Sequence, residues 1–107
     1  MKQMNQRDAI HFIATRQEFK ASALSGVNAN TGGLQGAYGR LDNEEFARFK
    51  AVEIQVDYVV YSYGTPIAWH TEGNGWYVVA QKFSVTTSKH QTYVRRAVAE
   101  ANQTVGA

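Results

Sequence analysis

The sequence predicts an α+β domain in which helices pack against one antiparallel sheet. Three observations lead to this class: apolar residues recur at helical spacing in three segments, one segment is dense in Val and Tyr, and an Asn-Gly pair separates two short apolar runs. We predict helices over about 5–19, 42–53 and 88–102 and strands over about 56–63, 67–71 and 76–80. The 107 residues suit a single domain, 1–107, with one modest core.

The first helix is predicted from its apolar spacing and its start. Asn5 can act as the N-cap, and Asp8 lies in the first turn, where the positive end of the helix dipole favours an acid. The apolar side is formed by Ile10, Ile13 and Ala14, with Ala9 and Phe12 beside them.

The second helix has a stronger start signal. Asp42 and Glu45 have the spacing of a capping box, and Leu41 and Phe46 stand at the two positions of a hydrophobic staple. Phe46, Phe49 and Val52 recur at helical spacing, so all three are expected to face the core.

Between these helices, residues 20–40 contain five of the nine glycines and are expected to form a long loop, with short strands possible only near 21–24 and 34–38. The glycines do not form a phosphate-binding loop, because no Gly-Lys-Ser/Thr ending follows them. The acids Asp42, Glu44 and Glu45 at the next helix start would also repel a phosphate.

The strands follow the second helix. The segment VDYVVYSY is apolar on both faces, which predicts a central strand, and Gly64-Thr65-Pro66 ends it. Two further strands flank the Asn-Gly turn. A loop of two or four residues there places Trp69 and Trp76 on the same face, with at least one of them beneath a helix.

The stretch SVTTSKHQTYVRR, from Ser84 to Arg96, begins the last helix and raises the main functional question. Ser88 and Gln91 have capping-box spacing, and the hydroxyls of Thr86 and Thr87 are alternative caps. Ser88→Ala is therefore expected to cost about 1 kcal/mol, or less if Thr86 or Thr87 replaces Ser88 as the cap. Hydroxyls, free amides and a lysine at one helix start can also hold an anion, which makes Ser88, Lys89 and His90 candidate binding residues.

A basic cluster overlaps this stretch. Lys82, Lys89, Arg95 and Arg96 fall within fifteen residues that contain no acid, although the net charge of the whole chain is only +2. Helical periodicity places Lys89, Arg95 and Arg96 opposite an apolar face that contains Val94 and Ala97. The basic residues are therefore predicted to point to solvent, where they can contact an acidic partner.

The histidines and acids do not indicate an enzyme or a metal site. His11, His70 and His90 lack metal-ligand spacing, and each is expected to be a half-buried, hydrogen-bonded residue. A meeting of His70 and His90 between sheet and helix would be a polar pair of functional interest. Asp57 and Glu72 are the only acids in the strand region, so paired acids for acid–base catalysis are missing.

The composition restricts the class of protein and the cell compartment that can be expected. Hydrophobic residues are 44% and charged residues 19%, as in globular domains. There is no cysteine, which excludes disulfides and thiolate metal sites and favours a reducing compartment. No apolar run reaches the roughly 20 residues that span a bilayer, and the first residues lack a signal core. We therefore expect a cytoplasmic protein.

The segments YSYGTPIAWH and FSVTTSKHQ, within residues 58–96, resemble a small domain of unknown function that recurs in bacteriophage and prophage genomes. The resemblance implies a phage-encoded accessory protein that acts in a host cytoplasm, and it supplies no activity. Together with the basic cluster it leads to our hypothesis. We expect a non-enzymatic protein without a cofactor that binds an acidic patch on a host protein. It could act, for example, as an inhibitor of host defence or host machinery. The alternative is a nucleic-acid-binding protein that uses the basic segment 82–96.

Overall fold

The computed structural model describes residues 6–21, 23–28, 41–81 and 83–106. Its helices are α1 (Gln6–Ala14), α2 (Asn43–Val52) and α3 (Val85–Gly106), and a 3₁₀ turn, Glu53–Gln55, follows α2. Its strands are β1 (Phe19–Lys20), β2 (Leu24–Asn28), β3 (Val56–Ser62), β4 (Thr65–Thr71) and β5 (Gly75–Val78). The predicted α+β class and antiparallel sheet are confirmed, but the described residues form five strands in the order β1-β2-β3-β4-β5 instead of three.

The extra strands reflect an early end of α1. Arg16 has a positive φ of 53°, its N–H bonds to the carbonyl of Ile13 at 3.0 Å, and the N–H of Gln17 bonds to that of Phe12 at 2.8 Å. This pattern is a Schellman C-cap, in which glycine is the usual residue. The predicted helix to residue 19 was therefore wrong at its end, because the chain turns at Arg16 and enters the sheet. The expected cap Asn5 and the expected strand near 34–38 lie outside the described residues.

The sheet is covered by helices on both faces, with β3 at its centre as predicted. On one face, Tyr58 and Val60 of β3 belong to a core shared with α1 and α3. On the other face, Val59 belongs to a core shared with α2. There the rings of Phe49 and Trp69 meet edge to face, with 4.9 Å between their centroids. A central strand that is apolar on both sides thus has a helix layer on each side.

The loop of the β4–β5 hairpin has an odd number of residues, whereas the sequence prediction assumed two or four. Thr71 pairs with Gly75, so the loop contains three residues, 72–74, and Trp69 pairs with Tyr77. Because cross-strand partners share a face, Trp69 lies on the α2 side, whereas Trp76 packs on the α1–α3 side. The prediction that both tryptophans share one face was wrong, since an odd loop length reverses every following side chain.

The start of α2 confirms half of the predicted capping box. The Asp42 carboxylate accepts the N–H of Glu45 at 2.8 Å, as an N-cap does. Glu45 does not return that bond, because its side chain turns inward and is buried. The inward face of α2 therefore contains Glu45, Phe49 and Val52. Phe46, predicted to face the core, is 38% exposed.

Helix α3 begins one turn earlier than predicted. The hydroxyl of Ser84 accepts the N–H of Thr87 at 3.3 Å, and Ser88 donates its N–H to the Ser84 carbonyl at 2.8 Å. Ser84 is thus the N-cap, and the prediction for Ser88 was wrong. The predicted partner Gln91 is buried and donates instead to the carbonyls of Val79 and Gln81.

Two serine substitutions test this assignment. We expect Ser84→Ala to lower the free energy of unfolding by about 1 kcal/mol, because one helix-start amide loses its acceptor. Ser88→Ala removes a hydroxyl inside the helix and is expected to change it by no more than about 0.5 kcal/mol. Chemical denaturation of both variants compares them directly. If Ser88→Ala lowered the free energy of unfolding more than Ser84→Ala does, Ser88 and not Ser84 would be the N-cap.

Candidate binding sites at the last helix

The exposed side of α3 carries three of the predicted binding residues. Lys89, Arg95 and Arg96 are exposed, whereas Val94 and Ala97 on the opposite side are fully buried. This arrangement is the one predicted from helical spacing. Within the described part of the chain, none of the three cations takes part in an ion pair or a side-chain hydrogen bond. Lys82, the fourth predicted base, lies outside the described residues.

These cations share a surface with two uncharged residues. At 100° per residue, Val85, Lys89, Thr92 and Arg96 form one stripe along α3, with Arg95 beside it. Val85 is 79% exposed although it is apolar. We call these five residues the α3 stripe. It combines an exposed aliphatic side chain, a hydroxyl and three cations.

His90, also a predicted binding residue, turns away from the stripe toward the sheet. Its Nδ1 lies 2.6 Å from the hydroxyl of Ser62 on β3. Ser88 is half-buried, and among the described hydrogen bonds none joins it to His90. The structure thus divides the predicted site into a solvent-facing stripe and a separate group around His90.

The group around His90 is a chain of hydroxyls. Ser84 donates to the Thr87 hydroxyl at 3.3 Å, and Thr87 lies 3.2 Å from the Ser62 hydroxyl. Ser62 is 1% exposed and Thr87 is 5% exposed. Burial lowers the pKa of His90 below its usual value, which favours the neutral ring. A neutral imidazole thus ends a hydrogen-bonded relay of three hydroxyls.

An aromatic residue stands over this relay at the β3–β4 turn. Tyr63 and Gly64 have φ values of 52° and 79°, and Ser62 pairs with Thr65 across them. Two successive positive φ angles in a two-residue loop are typical of a type I′ turn. A tyrosine is strained in that conformation. The residue is nevertheless 64% exposed, and its ring stacks on His90 with 6.3 Å between centroids.

Beside Tyr63 a cleft of about 270 Å³ opens between the turn and the start of α3. We call it the hydroxyl cleft. Its lining residues are uncharged and combine aromatic rings with hydroxyls: Ser62, Tyr63, Thr65, Phe83, Ser84 and Thr87. Sequence reasoning missed Ser62. The available signals were a serine inside an apolar strand and a Tyr-Gly pair directly after it.

The second histidine of interest, His70, belongs to a different cluster. Its Nδ1 lies 2.8 Å from a carboxylate oxygen of Asp57, and its Nε2 lies 3.0 Å from the guanidinium of Arg16. Because arginine only donates, Nε2 accepts and the proton resides on Nδ1. A register shift between Val56 and Tyr58 leaves Asp57 as the extra residue of a bulge beside His70.

The two histidines do not meet. His70 pairs with Tyr58, and the His90 partner Ser62 lies four residues farther along β3, about 13 Å at the usual rise. His70 and His90 therefore do not form the polar pair whose existence the sequence left open. Among the described residues, no three His, Cys, Asp or Glu side chains are grouped to hold a metal ion. Within the same ranges, no helix is long and apolar enough to cross a membrane.

Residues 10–104 match the model of a family described as "Family of unknown function (DUF8033)". The chain belongs to this family. The matched range contains both the α3 stripe and the hydroxyl cleft, so both sites lie within the family domain. Searches of curated proteins and of solved structures gave no match. The description of the DUF8033 family supplies no activity, and the function has to be argued from the geometry.

Proposed function

We propose that this DUF8033 protein is a non-enzymatic accessory protein of phage type that binds an acidic patch on a host protein through the α3 stripe. One observation carries the proposal: three cations stand exposed and unpaired, within the described residues, on the solvent side of a helix whose other side is buried. The phage-type part rests on the resemblance of the YSYGTPIAWH and FSVTTSKHQ segments and not on geometry.

The contrast with α2 supports a role for the unpaired charges. On α2, Arg48 forms ion pairs with Glu44 and Glu45, and Lys50 pairs with Glu53. Such pairs within a helix neutralise the surface locally. On α3, the first acid is Glu100, one turn beyond Arg96. The α3 stripe therefore keeps a positive potential at its Lys89 end, which accelerates encounter with an acidic partner.

The composition of the stripe favours a protein over nucleic acid. Val85 adds exposed apolar surface, and arginine and aliphatic contacts together are typical of protein interfaces. The net charge of +2 is small for a protein that binds a polyanion. A nucleic-acid partner remains the alternative proposal, because the same cations can contact phosphates.

A charge reversal on the stripe tests the proposal. We expect Arg95→Glu with Arg96→Glu to abolish capture of the host partner in a pull-down from host lysate. The fold should persist, because exposed substitutions cost within about 0.5 kcal/mol each. Capture by the unmodified protein should weaken with salt, since exposed charges are screened. Thermal melting of the variant checks that it is folded.

Two controls make the result specific. Lys20→Glu changes the net charge by the same amount as Arg95→Glu alone, but it lies on the edge strand β1. It should leave capture unchanged. Nuclease treatment of the lysate separates the two partner classes: capture that survives indicates a protein, and capture that is lost indicates nucleic acid. A folded double variant that captures the partner at full strength would contradict the proposal.

A further inference from the structure

We infer that the hydroxyl cleft is a binding site for a nucleobase or nucleoside, that is, for an uncharged flat ring with hydrogen-bonding groups on its edge. This inference concerns a small molecule and a surface separate from the α3 stripe, so it goes beyond the proposed function. It rests on three properties of the cleft: its uncharged lining, its exposed aromatic ring and the direction of its hydroxyl relay.

The described lining does not favour an ionic ligand. Among the residues that the structure describes, no side chain of Asp, Glu, Lys or Arg lines the cleft. Burial lowers the pKa of His90 behind the cleft, which favours the neutral imidazole. A charged ligand entering such a site would lose hydration without gaining an opposite charge. The volume of about 270 Å³ lies just below the usual range for ligand pockets, so the ligand is small.

The aromatic residues favour a flat ring. Tyr63 has its ring against His90 on one side, yet the residue is 64% exposed and lines the cleft. A strained turn and a stacked histidine together hold this ring in place before any ligand arrives. Stacking on a fixed aromatic ring is a general mode of binding for bases, because every base has a π face.

The hydroxyl relay favours a ring edge with both donors and acceptors. If Ser62 donates to His90, then Thr87 donates to Ser62, and all three relay protons are used. The three relay hydroxyls then offer the cleft only lone pairs. If His90 donates from Nδ1, the relay between Ser62 and Thr87 reverses, and Thr87 keeps one free proton. A nucleobase edge presents neighbouring donors and acceptors and satisfies either arrangement.

The test is a nuclear magnetic resonance titration with adenosine, guanosine, cytidine and uridine as separate probes at millimolar concentration. We expect at least one nucleoside to shift the amide signals of residues 62–65 and 83–90 and to leave α2 unchanged. Tyr63→Asn should weaken that binding about tenfold, because it removes the stacking ring. Asparagine tolerates a positive φ, so the turn is kept. Tyr63→Phe keeps the ring and should bind like the unmodified protein.

Two further variants locate the ligand. Thr87→Val interrupts the relay and should weaken binding, whereas Thr92→Val makes the same change on the exposed side of α3 and should not. Arg95→Glu with Arg96→Glu should leave nucleoside binding unchanged, which separates this inference from the proposed function. The inference is overturned if none of the four probes shifts the cleft amides, or if Tyr63→Asn binds as well as Tyr63→Phe. Loss of binding in the double arginine variant would also overturn it, because the ligand would then lie on the stripe.

Discussion

Replacing Gly26 by alanine is expected to lower the free energy of unfolding by about 3 kcal/mol. Gly26 lies on β2, between Phe19 of β1 and Val60 of β3. A Cβ atom there would stand 2.6 Å from the Phe19 ring and still closer to the hydroxyl of Tyr58. Tyr58 cannot swing aside, because it is buried and its hydroxyl donates to the Gln17 carbonyl at 2.7 Å.

The measurement is thermal and chemical unfolding. For a domain of this size, a loss of about 3 kcal/mol corresponds to a fall in melting temperature of about 12 °C. In a Tyr58→Phe background the cost of Gly26→Ala should be smaller, since the nearest clashing atom is gone, and a double-mutant cycle isolates that contact. Ser25→Ala, the neighbouring half-buried position, is the control. Equal melting of Gly26→Ala and Ser25→Ala would refute the steric argument.

Glu45→Ala is expected to cost a similar amount, about 3 kcal/mol. The buried Glu45 carboxylate accepts the Tyr77 hydroxyl at 2.7 Å and the Ala80 N–H at 3.1 Å. It also receives the Arg48 guanidinium at 3.0 Å, and that guanidinium lies over the Tyr77 ring. Alanine would remove this acceptor from the Tyr77 hydroxyl and the Ala80 N–H, and would thereby detach α2 from the end of β5.

The neighbouring acid provides a matched control. Glu44 also pairs with Arg48 but its side chain is 83% exposed, so Glu44→Ala should cost within about 0.5 kcal/mol. Glu45→Gln keeps one acceptor and should fall between the two. A result in which Glu44→Ala and Glu45→Ala are equally stable would show that the buried network contributes nothing.

An alkaline titration gives the Glu45→Ala experiment a second readout. Burial raises the pKa of Tyr77 to about 12, and the hydrogen bond to Glu45 adds to the shift. The pKa is higher in the folded state, so the related stability is complete below pH 10 and is lost as the pH rises toward 12. In Glu45→Ala the phenolate of Tyr77 should form at a lower pH, which ultraviolet absorbance detects.

Local spacing predicted the elements that depend on one periodicity. The buried side of α3, its exposed cations and the central position of β3 all follow from side chains within a few residues of each other. Errors arose where a single residue departs from the usual choice. Arg16 ends α1 where glycine is expected, and Glu45 takes an inward position on α2 where the pattern assigned Phe46.

The candidate sites divide in the same way. The α3 stripe is a local feature of one helix, and the exposure of its cations was predicted from the sequence, whereas Val85 lay outside the predicted helix. The hydroxyl cleft depends on Ser62 meeting His90, 28 residues away, and on a turn conformation that a tyrosine seldom adopts. Ser62 lies on β3 and His90 on α3, so their contact depends on how the helix packs on the sheet. Spacing along one strand contains no information on such a pairing.

The shortness of the outer strands has a consequence for solubility. Val56–Ser62, the strand richest in β-forming residues, has the composition of a segment that stacks into fibrils when it is exposed. In the described sheet it is enclosed by neighbours on both sides, and the outermost strands are β1 with two residues and β5 with four. Edges of this length offer few free backbone groups to another chain, which protects the native state from edge-to-edge aggregation. That protection disappears once β1 and β2 separate from β3, so the clash of a Cβ at position 26 would favour intermolecular pairing of the central strand as well as lower the stability of the domain.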